Sequence, residues 1–220
     1  MEGTIAEAEV VDKAFDHFEP ETVVHAAASY KDPDNWLEDI RTNALGTAHV
    51  VRAAERHRVK RLIYFQTALC YGLHPQEQPI TLSHPIDSTA SSYAISKTAG
   101  EQYIALSGLD FISFRLANAY GPRNISGPLP TFYSRLTARK PCFVMDTRRD
   151  FIYIDDLIAV VMKAIDGVGA AATTTSPRVA TSRSRSFSMR LSKHSGSPWT
   201  SRSRCDPVAR TMRSRSSLTP

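Results

Sequence analysis

Arg61-Leu62-Ile63-Tyr64-Phe65-Gln66-Thr67 is a bulky, mostly apolar run with no polar alternation, the pattern of a strand buried on both faces. Working outward, Thr22-Val23-Val24-His25-Ala26-Ala27-Ala28 precedes it as a β-branched run ending in small residues, and Phe111-Ile112-Ser113-Phe114-Arg115-Leu116 follows as a third strand. Each gap holds a helical stretch. One opens at Asp32-Pro33-Asp34, a helix-start signal, and continues to about Arg58 with Ala, Leu and Val at three- and four-residue spacing. The other spans about Ser91 to Leu106, and a further helix, roughly 6–18, ends at Glu19-Pro20. Strands alternating with crossover helices predict an α/β fold with a parallel sheet covered on both faces. Ligands of such sheets sit outside the carboxyl ends of the strands, the edge where Ala27, Thr67 and Asn118 fall.

Charge divides the chain in two. Residues 171–220 hold ten Lys and Arg against the single acid Asp206, which leaves 17 bases and 21 acids in residues 1–170. The body is mildly acidic and the net charge of +5 comes from the tail. An acidic body argues against a nucleic-acid surface. No apolar run is long enough for a membrane span, and Met1-Glu2-Gly3-Thr4 lacks the basic and apolar regions of a secretory signal. Cys70, Cys142 and Cys205 have no metal-ligand spacing and form no disulfide framework, so no metal is expected and a reducing cytoplasm is. Cys70 reads as a packing residue.

Tyr93-Ala94-Ile95-Ser96-Lys97 sets a phenol and an ammonium four residues apart, on one face of a helix. A phenol with pKa near 10 is a poor base at neutral pH. A nearby ammonium stabilises the phenolate, and a cationic nicotinamide ring would do so further. Alone the pair is a weak signal, since many helices carry a surface Tyr and Lys at this spacing. Thr67 strengthens it, because its strand points to the same sheet edge and its hydroxyl can bond the oxygen that Tyr93 deprotonates.

These motifs, with V-V-H-A-A-A at 23–28, N-A-L-G-T at 43–47, F-Q-T-A-L-C-Y-G at 65–72, S-Y-A-I-S-K at 92–97, R-L-A-N-A-Y-G-P at 115–122 and R-D-F-I-Y-I-D-D at 149–156, resemble the extended short-chain dehydrogenases in order and spacing. Ser126-Gly127-Pro128-Leu129-Pro130 extends the likeness to bacterial nucleotide-sugar epimerase/dehydratase proteins of polysaccharide biosynthesis. The resemblance implies a Rossmann-like, doubly wound parallel sheet followed by the start of a smaller substrate lobe. It implies NAD as cofactor and a nucleotide sugar as substrate. By position, Thr67, Tyr93 and Lys97 would be catalytic; Ala26, Ala27 and Asn43 would border the dinucleotide, with Tyr93 and Lys97 on its nicotinamide ribose. Asn118 and Arg149 would contact the substrate, Arg149 as a fixed-fork donor to diphosphate. His25 reads as structural and Asp155 as the cap of the following helix. Relatives commonly dimerise through helices that include the one bearing Tyr93, so a homodimer is expected.

Reaction type follows from the residues after Thr67. The 4,6-dehydratases of this family usually place Asp-Glu there, the acid and base for water elimination, whereas this chain has Ala68-Leu69. A 4-epimerase type of reaction, with a transient keto sugar, is the expectation. Alternatives are an inactive remnant of the fold, a dehydratase or reductase, and an RNA-binding protein using the basic tail.

Both ends depart from the family pattern. The Gly-rich turn that holds the pyrophosphate at a helix N-terminus is absent, and the likeness begins near the family's third strand. The expectation is that the first two βα units are missing, with one sheet edge left uncovered. Residues 1–170 form the partial domain, and 171–220 become Ser/Arg/Thr-rich, as in Thr181-Ser182-Arg183-Ser184-Arg185-Ser186. Such composition suits a disordered tail. Shifting the frame near Thr175 permits a continuous reading with a turn, an amphipathic helix and an acidic segment, so an out-of-frame tail is expected.

Overall fold

The computed structural model describes residues 2–77, 79–142 and 150–169. In chain order they form α1 (Ala8–Phe18), β1 (Thr22–His25), α2 (Trp36–Asp39), a π-helical segment (Ile40–Gly46), α3 (Thr47–Arg56), β2 (Arg61–Thr67), α4 (Ser92–Leu106), β3 (Phe111–Leu116), β4 (Asn118–Tyr120), α5 (Pro128–Thr137), β5 (Phe151–Tyr153) and α6 (Ile154–Ile165). The main sheet is parallel, with order β1-β2-β3 and with Thr22 opposite Arg61 and Leu62 opposite Phe111. β4 and β5 form a second, two-stranded parallel sheet.

The unbroken apolar character of β2 follows from helices on both its faces. Successive side chains of a strand point opposite ways. Leu62 and Tyr64 enter one core with Val11 and Phe15 of α1, Val50, Val51, Ala53 and Ala54 of α3, and Ile104 of α4. Ile63 enters a second core with Ile112 and Phe114 of β3, Ile152 of β5, and Leu157, Val161 and Ala164 of α6. This is the Rossmann-like α/β arrangement expected from the sequence. Arg61 fastens the start of β2 to the residue before β3 and to α6: its Nε donates to Asp110 Oδ2 at 2.8 Å and its Nη1 to the Ala164 carbonyl at 3.0 Å.

β1 is shorter than the apolar run predicts, ending at His25 rather than Ala28. The chain is drawn off the sheet just beyond. The Ser29 N–H donates to Asn43 Oδ1, and Asn43 Nδ2 donates to the Ser29 carbonyl, both at 2.9 Å. The following helix starts at Trp36 rather than at Asp32-Pro33-Asp34, because Asn35 is its cap, accepting from the Glu38 N–H at 3.2 Å. Asp155 is likewise not a cap. It lies inside the first turn of α6, behind Tyr153, where a negative charge favours the helix N-terminus through its dipole.

Between α2 and α3 the helix widens into the π-helical segment, which buries Asn43 and Gly46. α4 crosses close to this segment at Gly100. A Cβ there would lie 2.7 Å from the Asn43 carbonyl and 2.8 Å from the Tyr64 hydroxyl, so only glycine permits this approach.

Candidate active site at the carboxyl edge of the sheet

Three parallel strands deliver their carboxyl ends to one edge, and the candidate residues are held there by local structure. Thr67 is the buried last residue of β2. Its Oγ accepts from the Leu69 N–H at 3.2 Å, capping the short 3-10 turn Ala68–Tyr71 that turns the chain away. Tyr93 stands half-buried in the first turn of α4. That helix starts where it does because Ser91 Oγ accepts from the Ala94 N–H at 3.1 Å. Lys97 follows one turn later and is 1 % exposed.

The electrostatics differ from the sequence expectation. Lys97 does not lower the Tyr93 phenol in this structure. Burial raises the phenol above its ordinary value, and the Asp39 carboxylate and Tyr30 phenol add to the rise. The Lys97 ammonium lies over the ring of Tyr64, 4.0 Å from its centroid, a cation–π contact. Burial lowers Lys97 to about 7, against the opposing pull of Glu101. Among the described residues no carboxylate lies within ion-pair distance of it.

The site also contains a buried network with no part in the sequence reading. Gln66 Oε1 accepts from the Thr67 N–H at 2.8 Å, while its Nε2 donates to the Lys97 carbonyl at 3.1 Å and to Glu101 Oε2 at 3.3 Å. The Tyr64 hydroxyl donates to the same Lys97 carbonyl at 3.0 Å. Glu101 pairs with Arg115 at 3.0 Å, both side chains 4 % exposed, and also accepts from Ser113 Oγ. Arg115 Nη1 donates to the Tyr71 hydroxyl at 2.9 Å. Two signals point to this network in retrospect. Glu101 continues the Tyr93–Lys97 spacing by another four residues, and Arg115 interrupts an apolar strand, where a buried guanidinium needs a partner.

The remaining candidates are distributed along the same edge. Ala26 and Ala27 follow β1 directly and are exposed. Asn43 is buried with its amide committed: besides Ser29, its Nδ2 donates to Ser96 Oγ at 3.0 Å, so it ties the loop after β1 to α4. His25 is buried with Nε2 2.9 Å from Thr47 Oγ1. The Thr47 hydroxyl proton goes to the Asn43 carbonyl at 2.6 Å, which makes His25 the donor. Burial, then the Lys97 charge, depress its pKa to about 3. This neutral, bonded imidazole fits a structural role. Asn118 opens β4, and its Nδ2 donates to the Asp150 carbonyl at 3.1 Å. Beyond it lies a cavity of about 650 Å³ lined by residues including Tyr120, Pro122, Leu129, Tyr133 and Tyr153. Arg149 and the tail 171–220 lie outside the described residues.

Comparison with known proteins bears on the family and the fold. The profile of the NAD dependent epimerase/dehydratase family matches residues 1–174. The crystal structure of the Bordetella bronchiseptica enzyme WbmH in complex with NAD+ is 53% identical, with a TM-score of 0.75 over 77% of this chain and 56% of that one. WbmG of the same organism, solved with NAD and UDP, is 49% identical with a TM-score of 0.70, covering 74% of this chain and 52% of that one. A dTDP-glucose 4,6-dehydratase of Streptomyces niveus is 33% identical over 56% of this chain and 37% of its own length. UDP-glucuronate 4-epimerases of Arabidopsis thaliana also match. The chain spans roughly two-fifths to half of the length of the curated relatives it matches, from 37% to 49%. No helix among the described residues is long and apolar enough to cross a membrane.

Proposed function

The chain belongs to the NAD-dependent epimerase/dehydratase family, and on that premise we propose that its site interconverts nucleotide sugars by reversible oxidation at C4, as a 4-epimerase does. The observation that carries the reading is the joining of Thr67 and Lys97 through one buried side chain, with Tyr93 one turn away on the same helix. Tyr93 takes the proton of the sugar 4-hydroxyl and returns it, and the Thr67 hydroxyl bonds the same oxygen and orients it. Because burial and Asp39 keep the free phenol protonated, the base role requires added positive charge at Tyr93. That charge would come from the cationic nicotinamide ring, since the Lys97 ammonium by itself leaves the phenol raised.

NAD fits the nicotinamide end of this edge and supplies the hydride acceptor for C4. The exposed Ala26 and Ala27 leave the surface after β1 open. Among the described residues the Lys97 ammonium has no carboxylate within ion-pair distance to leave in order to hold a ribose hydroxyl, with Tyr93 one turn earlier on the same helix. Asn43 acts by fixing the loop of Ala26 and Ala27 through Ser29. Asn118 and Arg149 are assigned to the nucleotide sugar, whose nucleotide part suits the aromatic-lined cavity next to β4. Epimerisation is preferred to dehydration because Ala68 and Leu69 follow Thr67 and neither can transfer a proton to eliminate water.

The same reading extends to the rest of the chain. A homodimer would cover Leu37 and Ile40 on the α2 side and Ile95, Tyr103 and Leu106 on α4, all exposed on two adjacent helices. The boundary falls at about residue 170, ahead of an out-of-frame basic tail, and the free Cys70 and Cys142 thiols suit the cytoplasm. Reading the coding DNA across the Thr175 codon tests the tail.

The test of activity is to incubate the full chain with NAD and UDP-sugars, measuring thermal stabilisation and product. A C4-inverted sugar is expected, with a loss of about 10²–10⁴-fold in Tyr93→Phe. A 4-keto-6-deoxy product overturns the epimerase assignment, and no stabilisation at saturating ligand overturns the enzymatic reading.

A further inference from the structure

We propose that Gln66 is a positioning residue, whose single buried amide holds the backbones of Thr67 and Lys97 in one fixed arrangement. The inference rests on the functional reading above, because it concerns how that site is kept in shape. Gln66 is 2 % exposed, so none of its polar atoms can turn to bulk water for compensation. Its orientation is determined by its partners. The Thr67 N–H needs an acceptor, whereas the Lys97 carbonyl and Glu101 carboxylate need donors, and only one placement of the amide oxygen and nitrogen satisfies all three.

The amide thus joins the last residue of a strand to a helix turn thirty residues later. Glu101 braces the nitrogen end and is itself locked by Arg115 and Ser113. Any shift of the strand end moves the helix turn that carries Lys97, and any rotation of that turn moves Thr67. Proton transfer depends steeply on such geometry: a misplacement of about 1 Å costs on the order of 10²-fold in rate.

Three substitutions in the full chain test this. Gln66→Met keeps the side-chain length and removes every hydrogen bond. Gln66→Asn keeps the amide and shortens it, so one group cannot span both partners. Gln66→Glu keeps the length and the acceptor for Thr67, but its single O–H goes to the Glu101 carboxylate, so this variant keeps the Thr67 bond and loses the one to the Lys97 carbonyl. Two readouts need no substrate: the exchange protection of the Thr67 amide, and the titration of Lys97 followed by NMR with ¹³C-labelled lysine and assigned with Lys97→Arg. Among the described residues His25, Tyr64 and Glu101, with Tyr93 one turn earlier on α4, are the titratable groups about Lys97, and Gln66→Met and Gln66→Asn alter none of them.

In Gln66→Met and Gln66→Asn, Thr67 exchange is expected to accelerate at least about tenfold relative to the rest of β2. The Lys97 midpoint should rise from near 7 toward the ordinary lysine value. Gln66→Glu should hold Thr67 exchange near that of the unsubstituted chain; because its carboxyl changes the charge near Lys97, the Lys97 midpoint is read in the other two variants only. The proposal is overturned if the first two variants lower Tm while leaving both readouts in place, or if Gln66→Glu speeds Thr67 exchange as much as they do. Should Gln66→Met not fold, the contrast between Gln66→Asn and Gln66→Glu decides by the same criteria. With turnover of UDP-sugars established, Gln66→Met should lower kcat at least about tenfold and change KM less than about threefold. Absence of turnover in the unsubstituted chain counts against the proposed reaction and leaves the two NMR readouts to judge Gln66.

Discussion

The side of β2 that faces α4 and the short sheet of β4 and β5 treat their side chains in opposite ways. On the first, charged and polar groups are buried and bonded: Lys97, Gln66, Glu101 and Arg115 pack between strand and helix with named partners. On the second, apolar groups are left out. α5 buries no residue, and Ile125 and Tyr133 are 88 % and 74 % exposed. Buried polar bonds specify one geometry, since each broken bond leaves an unsatisfied group. Exposed apolar groups specify little within the chain but offer surface to whatever binds. The half that would do chemistry is therefore fixed from inside, and the half that would hold substrate is open.

The contrast is broken most strongly at Glu101. Glu101→Leu leaves the Arg115 guanidinium buried without its carboxylate and should cost about 3–5 kcal/mol of unfolding free energy, read by chemical denaturation. Glu101→Leu with Arg115→Met should recover most of it. Next is Gly100→Ala. The gain in helix propensity is about 1 kcal/mol, but the added carbon meets the Asn43 carbonyl and Tyr64 hydroxyl, at an overpacking cost of about 1–3 kcal/mol. A net loss of up to about 2 kcal/mol should appear in the same measurement.

Burial also sets a pH dependence. Lys97 titrates near 7 when folded and near 10.5 when unfolded. Between these values the unfolded chain binds the extra proton, so stability rises with pH through this window and levels off at its lower value below 7, where both states hold the proton. His25, near 3 folded and 6.5 unfolded, does the same at lower pH. Each contributes a slope of at most about 1.4 kcal/mol per pH unit. Lys97→Met should flatten the alkaline part of a stability profile and His25→Gln the acid part. The smallest effect belongs to the open half: Ile125→Ser should change unfolding free energy by less than about 0.5 kcal/mol, and a larger loss would show that this surface is packed in solution.

The same division governed what was legible in the sequence. β2 and β3 coincide with their apolar runs because both faces of each strand are covered, so every position carries the signal. Thr67, Tyr93 and Lys97 were legible because their spacing places them on known faces of local elements. β1 was overrun because Ala26–Ala28 share the apolar character of the strand, and only Asn43, far along the chain, ends it. The π-helical segment left no mark, since its side chains follow a helical spacing on either side of it. Gln66, Glu101 and Arg115 escaped for a related reason. A bond between residues 66 and 101, or 101 and 115, has no periodicity to read. The reversed shift of Tyr93 likewise depends on burial, then on Asp39 of α2 and Tyr30 of the loop after β1, which only folding brings near it.

The Asn43 side chain offers Ser29 one oxygen and one N–H in the spacing of a peptide group. It is in effect a one-residue imitation of a neighbouring strand. Asn43→Ala would strip the Ser29 N–H and carbonyl of these partners, so the amides of the Ala26–Ser29 loop should exchange faster while Thr22–His25 keep their pairing with β2.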